Sequence, residues 1–118
     1  MSKKDINTRL DVELLVDSFY NKVKADPQLA PVFKNVDWPK HLPTMYSFWA
    51  FNLLGESGYK GNIIQTHLPL TLIPAFFDRW LKLFTETIDE HFSGEKADEA
   101  KSRAYSMGVV IKVKMGLT

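Results

Sequence analysis

Apolar residues that recur every three or four positions run through most of this chain, and this spacing limits the fold more than any other feature. After Asp11 the apolar positions are Val12, Leu15, Val16, Phe19, Tyr20 and Val23. This period matches one face of an α-helix, so the stripe predicts an amphipathic helix. Asp11 is its expected N-cap, and it should end at Asp26-Pro27, because a residue before proline avoids helical backbone. Only VVIKVK, at residues 109–114, is ambiguous with a strand, so the sequence predicts an all-α fold.

The middle of the chain predicts short turns followed by a second helix. Residues 27–33 should form one or two turns. Pro43 would remove a hydrogen bond from a helix that began at Trp38. The regular helix is therefore expected to begin near Lys40 or His41. Its inward face carries His41, Met45, Phe48, Trp49, Asn52 and Leu53.

The C-terminal half predicts two longer helices. Pro74 suits the first helical position, and Ser93-Gly94 is expected to end the helix that it begins. The buried stripe of this helix is Phe77, Trp80, Leu81, Phe84 and Ile88. A last helix is predicted from about Glu95 to Met115, and its stripe is Ala97, Ala100, Ala104, Met107 and Ile111.

Length, charge and cysteine content exclude several classes of protein. The 118 residues provide one core, so a single domain over 1–118 is expected. A net charge of +1 with dispersed lysines offers no footprint for nucleic acid or an anionic membrane. Without cysteine there is no disulfide, thiolate zinc site or iron–sulfur cluster. The first residues are not a secretory signal and no apolar run is long enough to span a membrane, so a cytoplasmic protein is expected.

Three histidines are the candidate metal ligands: His41, His67 and His91. They lack the short spacing of a zinc motif, and His91 lies near the end of its predicted helix. His67 follows the glycine-spaced loop GESGYKGN and opens HLPLTLIP, which its prolines keep from forming a long helix. Such a segment can hold an imidazole over an apolar cleft, as an iron ligand does, although a hydrogen-bonded core histidine is the alternative.

Polar side chains on the apolar faces of the predicted helices form a second group of candidate site residues. Tyr20, His41 and Trp80 lie on three different predicted helices, each on an inward face. Buried tyrosine and tryptophan need partners for their O–H and N–H groups. The three side chains either converge on one small polar guest or each bind a backbone carbonyl. Aromatic residues make up 13% of the chain, more than a small helical core requires, which indicates a flat guest.

Four segments together resemble one family. They are FYNKVKADPQLAPVF (19–33), WPKH and YSFWAFNLLGE (within 38–56), YKGNIIQTHL (59–68) and PAFFDRWLKLF (74–84). In this order and at these intervals they resemble the truncated haemoglobins, and most closely the third, proteobacterial-type group. The resemblance implies a two-over-two helical sandwich around haem b.

The resemblance also implies a role for each candidate residue. His67 matches the proximal iron ligand, Tyr20 and Trp80 match distal hydrogen-bond donors, and His41 matches the residue at the distal gate. Phe33 matches the phenylalanine that wedges against the haem. The facing of the helices adds Met45, Phe48 and Phe77 as wall residues. Candidates for a haem propionate are Tyr59, Lys60 and Arg79, although a solvated Arg79 is the favoured alternative.

The implied function is binding of dioxygen, nitric oxide and carbon monoxide. Two distal donors would slow oxygen release, which favours ligand chemistry or detoxification over oxygen transport. A haem enzyme with nitric oxide dioxygenase or peroxidase-like turnover is the alternative, and its electrons would come from a separate reductase. A cofactor-free helical interaction module is a third hypothesis. Nothing in the sequence requires a second subunit, so a monomer is expected.

Overall fold

The computed structural model describes residues 3–34, 37–56 and 74–114, and these ranges form five α-helices and no strand. The helices are α1 (Arg9–Ala25), α2 (Ala30–Phe33), α3 (Trp38–Leu54), α4 (Pro74–His91) and α5 (Glu95–Lys114). The all-α prediction is confirmed. None of the helices in these ranges is both long and apolar enough to cross a membrane.

Two pairs of helices pack on each other around one core. Helix α1 packs against α3, and α4 packs against α5. The pairs meet where α1 lies on α4 and α3 lies on α5, while the short α2 rests on α1. Every position of the predicted α1 stripe is buried, as are Phe84 and Ile88 of α4. Small buried residues on α5, namely Ala97, Ala100 and Ala104, let its backbone approach the neighbouring helices.

The N-cap of helix α1 lies three residues before the predicted one. Thr8 is the cap, and its hydroxyl accepts a hydrogen bond from the Asp11 N–H at 3.2 Å. The Asp11 carboxylate in turn accepts from the N–H groups of Asn7 and Thr8. The two residues form a capping box, in which the third helical residue returns a bond to the cap. The prediction that Asp11 itself caps the helix was wrong, while the end of the helix before Asp26 is confirmed.

Helix α3 begins at Trp38, so the later start expected from Pro43 was wrong. The carbonyl of Asp37 accepts hydrogen bonds from the N–H groups of Lys40 at 3.1 Å and His41 at 2.8 Å, which closes the first turn. Pro39 lies in that first turn, where its missing N–H has no helical partner to lose. Pro43 lies inside the helix. It removes one hydrogen bond from a helix of 17 residues, which packing against α1 tolerates.

The connection between α4 and α5 matches the predicted stop. Helix α4 ends at His91, and Gly94 adopts a φ of +137°, which favours glycine. The carboxylate of Asp5 caps α5 from the N-terminal segment, since it accepts from the N–H groups of Lys96 at 2.9 Å and Ala97 at 2.8 Å. The chain start is thereby tied to the last helix.

Candidate functional site

An apolar pocket lies between α1, α3, α4 and α5. About 430 Å³ of space there is not filled by protein atoms, and part of this space is open to solvent. Five of the predicted site residues line it: Tyr20, Met45, Phe48, Phe77 and Trp80. The lining also includes Trp49, Met107, Gly108 and Ile111. The fold therefore brings residues from four helices to one cavity. This agrees with the prediction that these side chains lie on the inward faces of their helices.

Tyr20 provides a buried hydroxyl at this pocket. Tyr20 is 6% exposed. Burial raises the pKa of its hydroxyl, so the group keeps its proton at neutral pH. The Tyr20 oxygen lies 3.4 Å from Nε2 of His41, and the two rings meet edge to face with centroids 5.3 Å apart. When His41 carries its proton on Nδ1, the Tyr20 O–H donates to Nε2 across this long bond. A hydroxyl held at 3.4 Å can turn to a closer acceptor.

Trp80 is held in a column of aromatic rings. Its indole stacks on Phe84 with centroids 5.3 Å apart and an angle of 4° between the planes. Phe84 stacks in turn on Trp49 at 4.9 Å, and Phe19 meets the Trp80 ring edge to face at 5.4 Å. These contacts restrict the indole to one orientation at the pocket wall.

Phe33 and Trp38 surround the outer side of Tyr20. The Phe33 ring lies 6.4 Å from that of Tyr20, and the Trp38 ring lies 5.1 Å from Tyr20 and 5.6 Å from His41. Phe33 contacts the tyrosine and does not line the pocket itself. Sequence reasoning missed Trp38, because it placed the helix start after this residue and treated the tryptophan as part of a turn.

Arg79 forms an ion pair with another side chain of the same chain. Its Nε and Nη2 groups donate to Oδ1 of Asp26 at 2.8 Å and 2.6 Å. The guanidinium is bound by the Asp26 carboxylate and is not simply solvated, although 32% of the Arg79 side chain is exposed; the carboxylate is withdrawn from water and requires a cation. A contact between Arg79 and a haem propionate stays a prediction. Asp26 was interpreted only as a helix stop, and no local pattern signals a partner 53 positions away.

Three predicted site residues lie outside the described residues. They are His67, the predicted iron ligand, and Tyr59 and Lys60, two predicted propionate contacts. Their roles stay predictions.

Comparisons with known proteins place the chain in a family. The profile of the bacterial-like globins matches residues 5–112. The group 3 truncated haemoglobin of Campylobacter jejuni is 37% identical over 97 residues, which are 76% of this chain and 76% of that protein. A group 1 truncated haemoglobin of Chlamydomonas moewusii is 38% identical over 55 residues, 47% of this chain and 32% of that protein.

The fold agrees with the sequence comparison. The crystal structure of group III truncated haemoglobin from Campylobacter jejuni matches with a TM-score of 0.87 at 32% identity, and the match covers 98% of this chain and 95% of that one. The chain therefore belongs to the bacterial-like globins and, among them, to the group III truncated haemoglobins.

Membership of the globins implies that the chain binds haem and, through it, diatomic gases. The chemistry of the pocket lining suits such a group. Its lining is largely aromatic and aliphatic, which suits a flat apolar ring system, and the Tyr20 hydroxyl supplies a buried polar group for a small ligand.

Proposed function

We propose that the chain binds haem b through His67 and uses the Tyr20 and Trp80 side of the pocket to bind dioxygen, nitric oxide and carbon monoxide. The observation that carries the proposal is that a buried hydroxyl and an indole line one apolar pocket in a chain of the globin family. We also propose that residues 1–118 act as a single domain, as a monomer in the cytoplasm.

Each residue has one task in this proposal. Haem, when bound, supplies an iron atom that holds a diatomic ligand. His67 would hold the haem through its imidazole, and Tyr20 and Trp80 would donate hydrogen bonds to the bound ligand. His41, which lies beside the Tyr20 hydroxyl and is only half-buried, controls entry from the solvent side. Met45, Phe48 and Phe77 exclude water, and Phe33 supports Tyr20.

Energy estimates favour chemistry on the ligand over oxygen transport. Hydrogen bonds to a ligand with partial negative charge contribute roughly 1–3 kcal/mol each in a dry pocket. Two such bonds slow ligand release by a factor of about thirty to ten thousand, since 1.4 kcal/mol is tenfold. A protein that releases oxygen so slowly is a poor carrier and suits detoxification.

Enzymatic turnover is the second candidate function. The same donors that hold a polarised ligand also assist nitric oxide dioxygenase or peroxidase-like chemistry, because they stabilise charge that develops on the ligand. Sustained oxidation of nitric oxide would need electrons from a separate reductase. Nitrate formation with an added reductase, compared with the same mixture without the chain, distinguishes turnover from binding alone.

Absorption spectroscopy tests the proposal. The purified chain mixed with haemin is expected to develop an intense Soret band, which shifts on reduction and again on addition of carbon monoxide. His67→Ala should abolish or strongly weaken this band. The matched control is His91→Ala at the end of α4, which should bind haemin like the parent chain. A colourless parent chain, or a His67→Ala chain with an unaltered spectrum, contradicts the proposal.

A further inference from the structure

We propose that Asp26 and Arg79 form a positioning pair that sets the relative placement of the Tyr20 and Trp80 side chains in the pocket. Neither residue lines the pocket. They act through the two helices that carry the donors, and the effect on a bound ligand rests on the function proposed above.

One carboxylate joins three helical elements. Oδ1 of Asp26 accepts the two hydrogen bonds from Arg79 of α4, at 2.8 Å and 2.6 Å. Oδ2 accepts from the N–H groups of Gln28 and Leu29, both at 3.0 Å, in the turn between α1 and α2. The carbonyl of Asp26 accepts from the Ala30 N–H at 2.9 Å, where α2 begins. Asp26 itself is the C-cap of α1.

These three elements carry the side chains around the distal donors. Tyr20 lies on α1 about one and a half turns before Asp26, and Trp80 directly follows Arg79 on α4. A guanidinium that donates through both Nε and Nη2 to one buried oxygen restrains the rotation of α4 at that turn, because two donors together orient its plane. The rotation of α4 sets the direction of the Trp80 indole. Phe33, which contacts Tyr20, lies on α2.

Burial separates this pair from the other ion pairs of the described ranges. The Asp26 side chain is 3% exposed, whereas the acidic side chains of the others are 10% to 79% exposed. Exposed pairs contribute little to structure, because water competes for both charges. A carboxylate withdrawn from water instead requires its cation, and loss of one partner forces the surroundings to rearrange. The rearrangement here would fall on the contact between α1 and α4.

Small movements at this contact matter for the donors. A hydrogen bond to a small ligand depends on the distance and angle between two atoms, and a shift of about 1 Å removes most of it. The ion pair therefore affects ligand retention without touching the ligand.

The test compares variants that break the pair in different ways. Asp26→Asn keeps a side-chain oxygen for the N–H groups of Gln28 and Leu29 and removes the charge that binds Arg79. Arg79→Met removes the other partner, and Arg79→Lys restores the charge without the fork. The matched control is Arg103→Met, which breaks an exposed arginine–glutamate pair on α5 at a comparable distance of 2.8 Å.

Three readouts separate positioning from general stability. They are the oxygen dissociation rate, the C–O stretching frequency of the carbon monoxide complex, and the indole N–H resonance of Trp80. Asp26→Asn and Arg79→Met should each raise the dissociation rate by about tenfold, a change of roughly 1.4 kcal/mol. Each should move the stretching frequency and the resonance towards weaker donation. The double variant should resemble the single ones, since the residues act as a unit. Arg79→Lys should lie between Arg79→Met and the parent, and Arg103→Met should match the parent.

The inference is overturned if the single variants lose thermal stability but keep the parent's C–O stretching frequency and Trp80 resonance. The pair would then only stabilise the fold. Additive effects in the double variant also overturn it. If Asp26→Asn does not fold, Arg79→Lys supplies the same comparison. A parent chain without a Soret band contradicts the proposed function alone. The Trp80 resonance of the purified chain, compared across the same variants, then still tests the positioning.

Discussion

At the scale of single residues, burial determines what the Tyr20 hydroxyl can do. An ionised phenolate is unfavourable in an apolar pocket, so the pKa of this tyrosine is raised above its usual value of 10. The hydroxyl is protonated at every pH at which the protein would work, and it stays a hydrogen-bond donor. His41 is close enough to orient it and too distant, at 3.4 Å, to bind it tightly.

The first prediction concerns the two distal donors. Tyr20→Phe removes a hydrogen-bond donor and keeps the ring, and Trp80→Phe removes a hydrogen-bond donor and leaves a smaller aromatic ring. Each should raise the oxygen dissociation rate by about five- to a hundredfold, because a bond of roughly 1–3 kcal/mol is lost. Stopped-flow displacement of oxygen by carbon monoxide measures the rate. Tyr105→Phe, on the exposed face of α5, is the control that should leave it unchanged. If both pocket variants release oxygen at the parent's rate, Tyr20 and Trp80 do not retain the ligand.

At the scale of the helices, their ends are decided by side chains that lie outside the helical stripe. Thr8 caps α1 through its hydroxyl, and Asp5 caps α5 although 91 positions separate it from Lys96. Burial disfavours the charged form of Asp5, but the N–H groups of Lys96, Ile6 and Ala97 outweigh it and hold the pKa of Asp5 below its usual value. The start of α5 therefore depends on the N-terminal segment.

The second prediction compares two glycines of this region. A Cβ at Gly94 would lie 2.7–2.9 Å from the Asp5 side chain, and its φ of +137° is unfavourable for any L residue. Gly94→Ala should lower the free energy of unfolding by about 1–3 kcal/mol. Gly108 lies inside α5, and a Cβ added there has no atom within 4 Å apart from its chain neighbours and the nearby backbone of its own helix. Gly108→Ala should raise that free energy by about 0.5–1 kcal/mol. Urea unfolding followed by circular dichroism measures both, and equal effects of the same sign would contradict the account.

At the scale of the whole molecule, three buried or partly buried carboxylates connect separate parts of the chain. Asp5 joins the N-terminal segment to α5, Asp11 completes the cap of α1, and Asp26 joins α1 to α4. Arg79 is the main cause of the lowered pKa of Asp26. The pKa of Asp11 is also lowered, since bonds from Asn7, Lys4 and Thr8 outweigh the burial that opposes ionisation. Stability thus depends on the charged form of all three.

The third prediction is a loss of stability in acid. A group whose folded pKa lies below its unfolded value contributes stability above the unfolded value, and that contribution disappears as the pH falls through the folded pKa. The ordinary value is 3.8, so the free energy of unfolding should fall steeply below about pH 4. Asp26→Asn should make this dependence shallower. Asp98→Asn, whose side chain is 79% exposed, is the control and should keep the parent's slope. A parent slope in Asp26→Asn would contradict the lowered pKa.

The faces of the helices could be predicted from the sequence, whereas their first residues and their long-range partners could not. The predicted stripe of α1 is buried throughout. Those of α4 and α5 are buried except at Trp80, Leu81 and Met107, which are half-buried against the core. These faces could be predicted because helical spacing is visible in the sequence. The starts of α1 and α3 were wrong by about three residues, because caps and first-turn prolines act through hydrogen bonds that periodicity does not report. The pocket residues Tyr20, Met45 and Trp80 were found by facing and by resemblance to the family. Asp26 was missed as the partner of Arg79, since the two residues are remote in sequence.

By itself, the sequence determined the class of fold and the identity of the residues that face inward, because local spacing fixes which side of each helix is apolar. Only the tertiary structure decided which inward faces meet, which carboxylate binds Arg79, and how far the Tyr20 hydroxyl lies from His41. Those distances join side chains on different helices. They depend on how the α1–α3 and α4–α5 pairs pack, and packing is a property of the assembled core.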